Sequence, residues 1–245
     1  MGDARPEELV DLDDWEEFSR RLFASAKLLV EEAYEEGGYH EEAVDALETF
    51  GRPVVQHLHG DRDEPVLDEE GLEDWVARYA DDIERIDEEI GGADELDGLY
   101  RDYKVPPGDE RLDTFYDSLQ DQVEPDRFDY VVGIYSSGIP PMYVAADHLD
   151  ADELIVKYST LRDDDAVDVS PRMEERAELD DAEVLLVDDA VLTGETLTMT
   201  GEYFRSQGAE VYAVPLEQEW QKTVDNTVLR MGEGDNVECW EPLDG

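Results

Sequence analysis

Two adjacent carboxylates, Asp188 and Asp189, follow the apolar run Val184 to Val187 and precede Leu192-Thr193-Gly194-Glu195-Thr196. The run fits a buried strand that ends at the aspartates, and the polar loop after it opens a helix. In open α/β sheets ligands bind beyond the carboxyl ends of parallel strands, where N–H groups at a helix N-terminus attract anions. Two carboxylates beside such a cradle suit a ligand with a phosphate and either hydroxyls or a metal. A second turn of this kind lies upstream, where Tyr130 to Ile134 leads into Tyr135-Ser136-Ser137-Gly138. The spacing His57-x-His59 permits metal binding on one strand face, but no third ligand is evident, and a surface or packing pair is the simpler reading.

The elements that position these residues follow from periodicity. Apolar residues recur at helical spacing from Pro6 to Glu36, from Glu41 to Phe50 with a stop at Gly51, from Glu69 to Ile90, and from Arg111 to Val123. Pro53 to Pro65 and Leu96 to Asp109 read as irregular. At Pro125 the texture changes to strand (Tyr130–Ile134), helix opening at Pro140-Pro141 and ending near Asp150, and strand (Glu153–Tyr158). Ser159 to Asp181 is polar and Asp-rich, too long for a routine connection. The aspartate strand, a helix from about Thr196 to Gln207 and a strand from Ala209 to Leu216 complete the pattern. The expected fold class is α/β, a mainly parallel sheet flanked by helices with right-handed crossovers. The expected organisation is a helical N-terminal region, 1–124, and an α/β domain, 125–245, whose tail from about 217 is long enough for a small flap.

With 19 basic and 69 acidic residues the net charge is −50, and 40% of residues are hydrophobic. The acids are spread along the whole chain, which argues for a solvated acidic shell and against a disordered tail. Such a surface is expected of a cytoplasmic protein from a salt-accumulating halophile, because salt screens the self-repulsion. Nucleic acids and anionic membranes are excluded as expected partners, since phosphate backbones call for a basic footprint. A single cysteine, Cys239, rules out an intrachain disulfide and a cysteine-based zinc site. No basic-plus-apolar leader opens the chain and no apolar run approaches the roughly 20 residues of a membrane span, so the protein is expected to be soluble and cytoplasmic.

Val187-Asp188-Asp189-Ala190-Val191-Leu192-Thr193-Gly194-Glu195-Thr196 resembles the ribose-phosphate motif of the type I phosphoribosyltransferases, and Val131 to Gly138 is similar to that family's diphosphate loop. The resemblance covers about Asp126 to Leu216. It implies that Asp188 and Asp189 engage the ribose hydroxyls of 5-phosphoribosyl-1-diphosphate (PRPP), directly or through Mg²⁺. It further implies that Leu192, Thr193, Gly194, Glu195 and Thr196 wrap the 5′-phosphate, and that Ser136, Ser137 and Gly138 hold the diphosphate. Ser137 departs from the Arg or Lys common there. Several family members place a basic residue at the position of Lys157, near the diphosphate. Ser159 to Asp181 matches the mobile catalytic loop, with Arg162, Arg172 and Arg176 its cations.

By the same resemblance the chain is expected to be an enzyme, a pentosyltransferase that passes the ribose 5-phosphate of PRPP to a nitrogenous base and releases diphosphate. Mg²⁺ is the implied cofactor, a nucleobase-like molecule the second substrate, and a homodimer the implied assembly. Leu192, where relatives acting on 6-oxopurines often carry an acid, argues against hypoxanthine or guanine. The tail matches the family's hood, and Val237 to Pro242 brings aromatic stacking capacity through Trp240. The alternative is a non-catalytic PRPP- or nucleotide-sensing regulator that keeps the phosphoribosyl site.

Overall fold

A computed structural model of the protein describes residues 47, 51, 52, 55, 110–135, 138–158, 167–169, 177–191, 193–218, 227–232 and 240–243. The chain divides into two compact units, residues 1–108 and 109–245. In the first, Leu47, Gly51, Arg52 and Val55 are helical, so Gly51 is not the helix stop that its type suggests. It is buried, and a glycine tolerated inside a helix costs only about 1 kcal/mol relative to alanine. The patterns at 6–36 and 69–90 and the pair His57 and His59 lie outside the described residues.

The second unit runs α1 (Arg111–Gln122), β1 (Tyr130–Ile134), α2 (Ile139–Leu149), β2 (Asp152–Tyr158), β3 (Val167–Val169), β4 (Glu183–Val191), α3 (Glu195–Ser206), β5 (Glu210–Gln218), β6 (Leu229–Met231) and β7 (Trp240–Pro242). Helix α1, which the sequence reading groups with the N-terminal region, falls in this unit and packs on α2 through a face of Leu112, Phe115 and Leu119. Seven strands form one sheet in the order β3-β2-β1-β4-β5-β6-β7. β2, β1, β4 and β5 are parallel; β3, β6 and β7 join antiparallel.

Alternation of side chains gives the sheet two apolar faces. Val132, Ile134, Leu154, Val156, Val184, Leu186, Val211 and Ala213 form one cluster with Leu197 and Phe204 of α3. On the other face α2 closes on β1 so tightly that a Cβ on Gly133 would lie 2.8 Å from Met142 Sδ. Residues buried on both faces explain why the parallel strands read as continuous apolar runs.

Two expectations change. Ser159 to Asp181 is not wholly a loop: Val167–Val169 pairs antiparallel with β2, and Val167, Val169, Ala177 and Leu179 pack against the core. The tail is not a separate flap in its described parts, since β6 and β7 extend the sheet, and Trp240 is 2% exposed within the core. Among the described residues no helix is long and apolar enough to cross a membrane.

Candidate active site

From β1 the chain proceeds to β2 on one side, and from β4 to β5 on the other, so the topology reverses between β1 and β4. At such a reversal, open α/β sheets bind ligands beyond the carboxyl ends of the two strands. Their pairing ends at Gly133↔Val187. Just past it, Gly138 donates its N–H to Ile134 O at 3.0 Å and seats the β1 turn against β4. A Cβ there would stand 2.5 Å from Val187 O and 2.7 Å from Ile134 O. Both obstacles are backbone, so the seat accepts only glycine. Ser136 and Ser137 lie outside the described residues.

Asp188 is the first residue of β4 beyond its pairing with β1. The strand does not end there, as its apolar run suggests, but continues to Val191 because β5 accompanies it as far as Val191↔Gln218. The aspartates are therefore held in a regular strand, just beyond the β1–β4 pairing. They are 8% and 2% exposed, and Asp188 Oδ1 accepts the N–H of Asp189 at 2.9 Å.

After β4 the chain enters α3 through Gly194, its N-cap, at φ 76° and ψ 2°. This left-handed conformation costs a residue with a Cβ about 1–2 kcal/mol. Gly194 has no side chain to cap the helix, and the first turn of α3 points its N–H groups outward as an anion-binding end does. Thr193 is exposed, Thr196 half-buried, and Thr193 Oγ1 lies 3.4 Å from the Glu195 N–H. Leu192 lies outside the described residues.

Lys157 sits at the carboxyl end of β2, 8% exposed, with Nζ 5.3 Å from the centroid of the Tyr135 ring. Arg162, Arg172 and Arg176 lie outside the described residues. The structure thus brings Asp188, Asp189, Gly138, Thr193, Gly194, Glu195 and Thr196 onto one sheet edge around β1 and β4, with Lys157 one strand away. Tyr135, at the end of β1, is a neighbour of Lys157 that the sequence does not announce.

Residues 114–238, half of the chain, match the family model for the phosphoribosyl transferase domain. The chain belongs to this family. Among solved structures, this phosphoribosyl transferase domain is similar to a purine phosphoribosyltransferase from Pyrococcus horikoshii Ot3, at 20% identity over 48% of this chain and 76% of that one, TM-score 0.37. It is also similar to an orotate phosphoribosyltransferase from Aeropyrum pernix (23% identity, 43% and 58% of the chains, TM-score 0.33). An adenine phosphoribosyltransferase from Thermoanaerobacter pseudethanolicus gives 17% identity, 46% and 68%, and a TM-score of 0.37. No curated protein matches the chain. Family membership makes the protein a glycosyltransferase-type enzyme whose chemistry is phosphoribosyl transfer.

For this phosphoribosyl transferase domain one expected residue is corrected. Trp240 does not offer its ring for stacking: its Nε1 donates to Thr198 Oγ1 at 3.1 Å, and it covers Gly201 of α3.

Proposed function

We propose that the site beyond the carboxyl ends of β1 and β4 binds PRPP and passes its ribose 5-phosphate to a nitrogenous base, releasing diphosphate. The observation that carries this reading is the adjacency of the buried Asp188–Asp189 pair to the Gly138 seat on one side and the α3 N-terminus on the other. Carboxylates accept from hydroxyls and are the hydrogen-bonding complement of a ribose diol. The α3 N-terminus and the Thr193 and Thr196 hydroxyls hold the 5′-phosphate without a lysine. The resemblance assigns the diphosphate to Ser136, Ser137 and Gly138, whose backbone N–H groups suit an anion.

In the reaction a C1–N bond forms as the C1–O bond to diphosphate breaks, and the attacking nitrogen gives up a proton. The ribose gains oxocarbenium character, so a sugar held at both its hydroxyls and its 5′-phosphate, with the leaving group held separately, is oriented for displacement. Mg²⁺ fits the donor set. It is bound in many sites by one or two carboxylates together with water and substrate phosphates, and no larger His, Cys, Asp or Glu group suited to a metal occurs among the described residues. When bound, Mg²⁺ neutralises charge on the departing diphosphate. The base is a nitrogen heterocycle other than hypoxanthine or guanine, given Leu192. We also propose a role in nucleobase salvage, in the cytoplasm, and a homodimeric assembly.

The deciding experiment is diphosphate release from PRPP and Mg²⁺ with a panel of nucleobases in molar KCl. Turnover with at least one base is expected. PRPP binding without turnover on every base would replace this reading with the regulator.

A further inference from the structure

We propose that Tyr135 is the positioning residue for Lys157, its ring holding the ammonium group at the carboxyl end of β1, on the side where the proposed reaction releases diphosphate. The inference rests on the PRPP reading above. Ile134 pairs with Val156, and the Tyr135 N–H continues the ladder by donating to Val156 O at 2.8 Å. Tyr135 and Lys157 are therefore the next residues of two adjacent parallel strands, at the same level of the sheet. Both are buried, at 7% and 8% exposure, and Nζ lies 5.3 Å from the ring centroid.

Lysine is almost never this buried without compensation, because its ammonium loses hydration. A ring face within about 6 Å supplies attraction that strengthens as the cation is desolvated. The ring also limits the rotamers of a flexible four-carbon stem, whose freedom is otherwise lost on binding. Lys157 is the only lysine among the described residues, in a chain of −50. Tyr135 directly precedes Ser136 and Ser137, which bring no charge of their own to the turn. The ring thus couples the end of β1 to the cation.

The test replaces Tyr135 by phenylalanine and by mono-, di- and trifluorinated phenylalanines, which drain the ring face while nearly keeping its shape. Affinity for Mg²⁺–PRPP and the KM for the base are measured for each. Tyr135→Phe should bind PRPP like the wild type, and affinity should fall with each added fluorine. Tyr135→Leu should weaken PRPP binding about 2- to 30-fold, the span that a cation–π contact corresponds to, with the KM for the base unchanged. In a Lys157→Met background the fluorine series should be flat. A flat series in the Lys157 protein, or a fall that persists in Lys157→Met, overturns this inference while PRPP binding by the wild type upholds the functional reading. Failure of the wild type to bind PRPP overturns both.

Discussion

At the scale of single residues, Asp189 and Gly138 separate chemistry from architecture. Asp189→Asn keeps the volume of the side chain but removes the charge that, in the proposed site, strengthens hydrogen bonds from ribose hydroxyls. Charge-assisted bonds contribute about 1.5–3 kcal/mol each, so PRPP affinity should fall about 10- to 100-fold with the melting temperature nearly kept. Unchanged PRPP binding in that variant, measured by calorimetry, would remove the ribose assignment. Gly138→Ala acts differently. Its methyl meets Val187 O and Ile134 O, which are backbone atoms of two paired strands and have no rotamer to change. Either the turn or the β1–β4 register must shift, at a cost of about 1–3 kcal/mol of stability by analogy with overpacked cores. PRPP binding should fall along with stability. A Gly138→Ala protein with wild-type urea midpoint and PRPP affinity would show that the turn is not seated as described.

At the scale of elements, the C-terminal strands brace α3. Trp240 and Met231 cover Gly201, and the Trp240 Nε1–H donates to Thr198, whose own N–H bonds to Gly194 O at the start of α3. Trp240→Phe should cost about 1–3 kcal/mol by orphaning a buried hydroxyl, whereas Trp240→Phe with Thr198→Val should cost less than the two single changes added. Additive urea-unfolding energies would sink the pairing. On β5, the strand that β6 pairs with, Tyr212 accepts from Arg127 at 2.7 Å and donates to Glu210 at 2.9 Å. Burial, then the Glu210 hydrogen bond and charge, push its phenol above its ordinary range. The folded state therefore holds this proton more tightly than the unfolded one. The stabilisation is complete below about pH 10 and is lost as pH rises through the folded value. Stability of the wild type should fall more steeply above pH 10 than that of Tyr212→Phe; parallel curves would refute it. The parallel strands and the passage from the two aspartates into α3 were legible because burial on both faces and a glycine at a helix start each leave a local pattern. The rest was not, because it depends on neighbours. β3 is only Val167-Asp168-Val169 inside an acidic run, β4 outlasts its apolar stretch because β5 runs beside it, and nothing local tells that Trp240 faces α3 and not a ligand.

At the scale of the whole molecule, a charge of −50 surrounds a site proposed for a polyanion. Two fields of opposite sign compete at that site. The α3 N-terminus and Lys157 attract phosphate over a few ångströms, while the acidic shell repels it from farther away. Salt separates them by range: the screening length is about 10 Å at 0.1 M and about 3 Å at 1 M, so added KCl removes the distant repulsion and leaves the contacts. The association rate of Mg²⁺–PRPP should therefore rise with KCl between these concentrations, opposite to the usual slope for an anion meeting a cationic site. The same screening relieves self-repulsion of the folded chain, so the urea midpoint should rise over that range, and an uncharged osmolyte should not reproduce the rate increase. Stopped-flow measurement of PRPP association gives the sign directly. A rate that falls with KCl would mean that the local positive field extends beyond the shell, and that the acidic surface does not govern how substrate reaches Asp188 and Asp189.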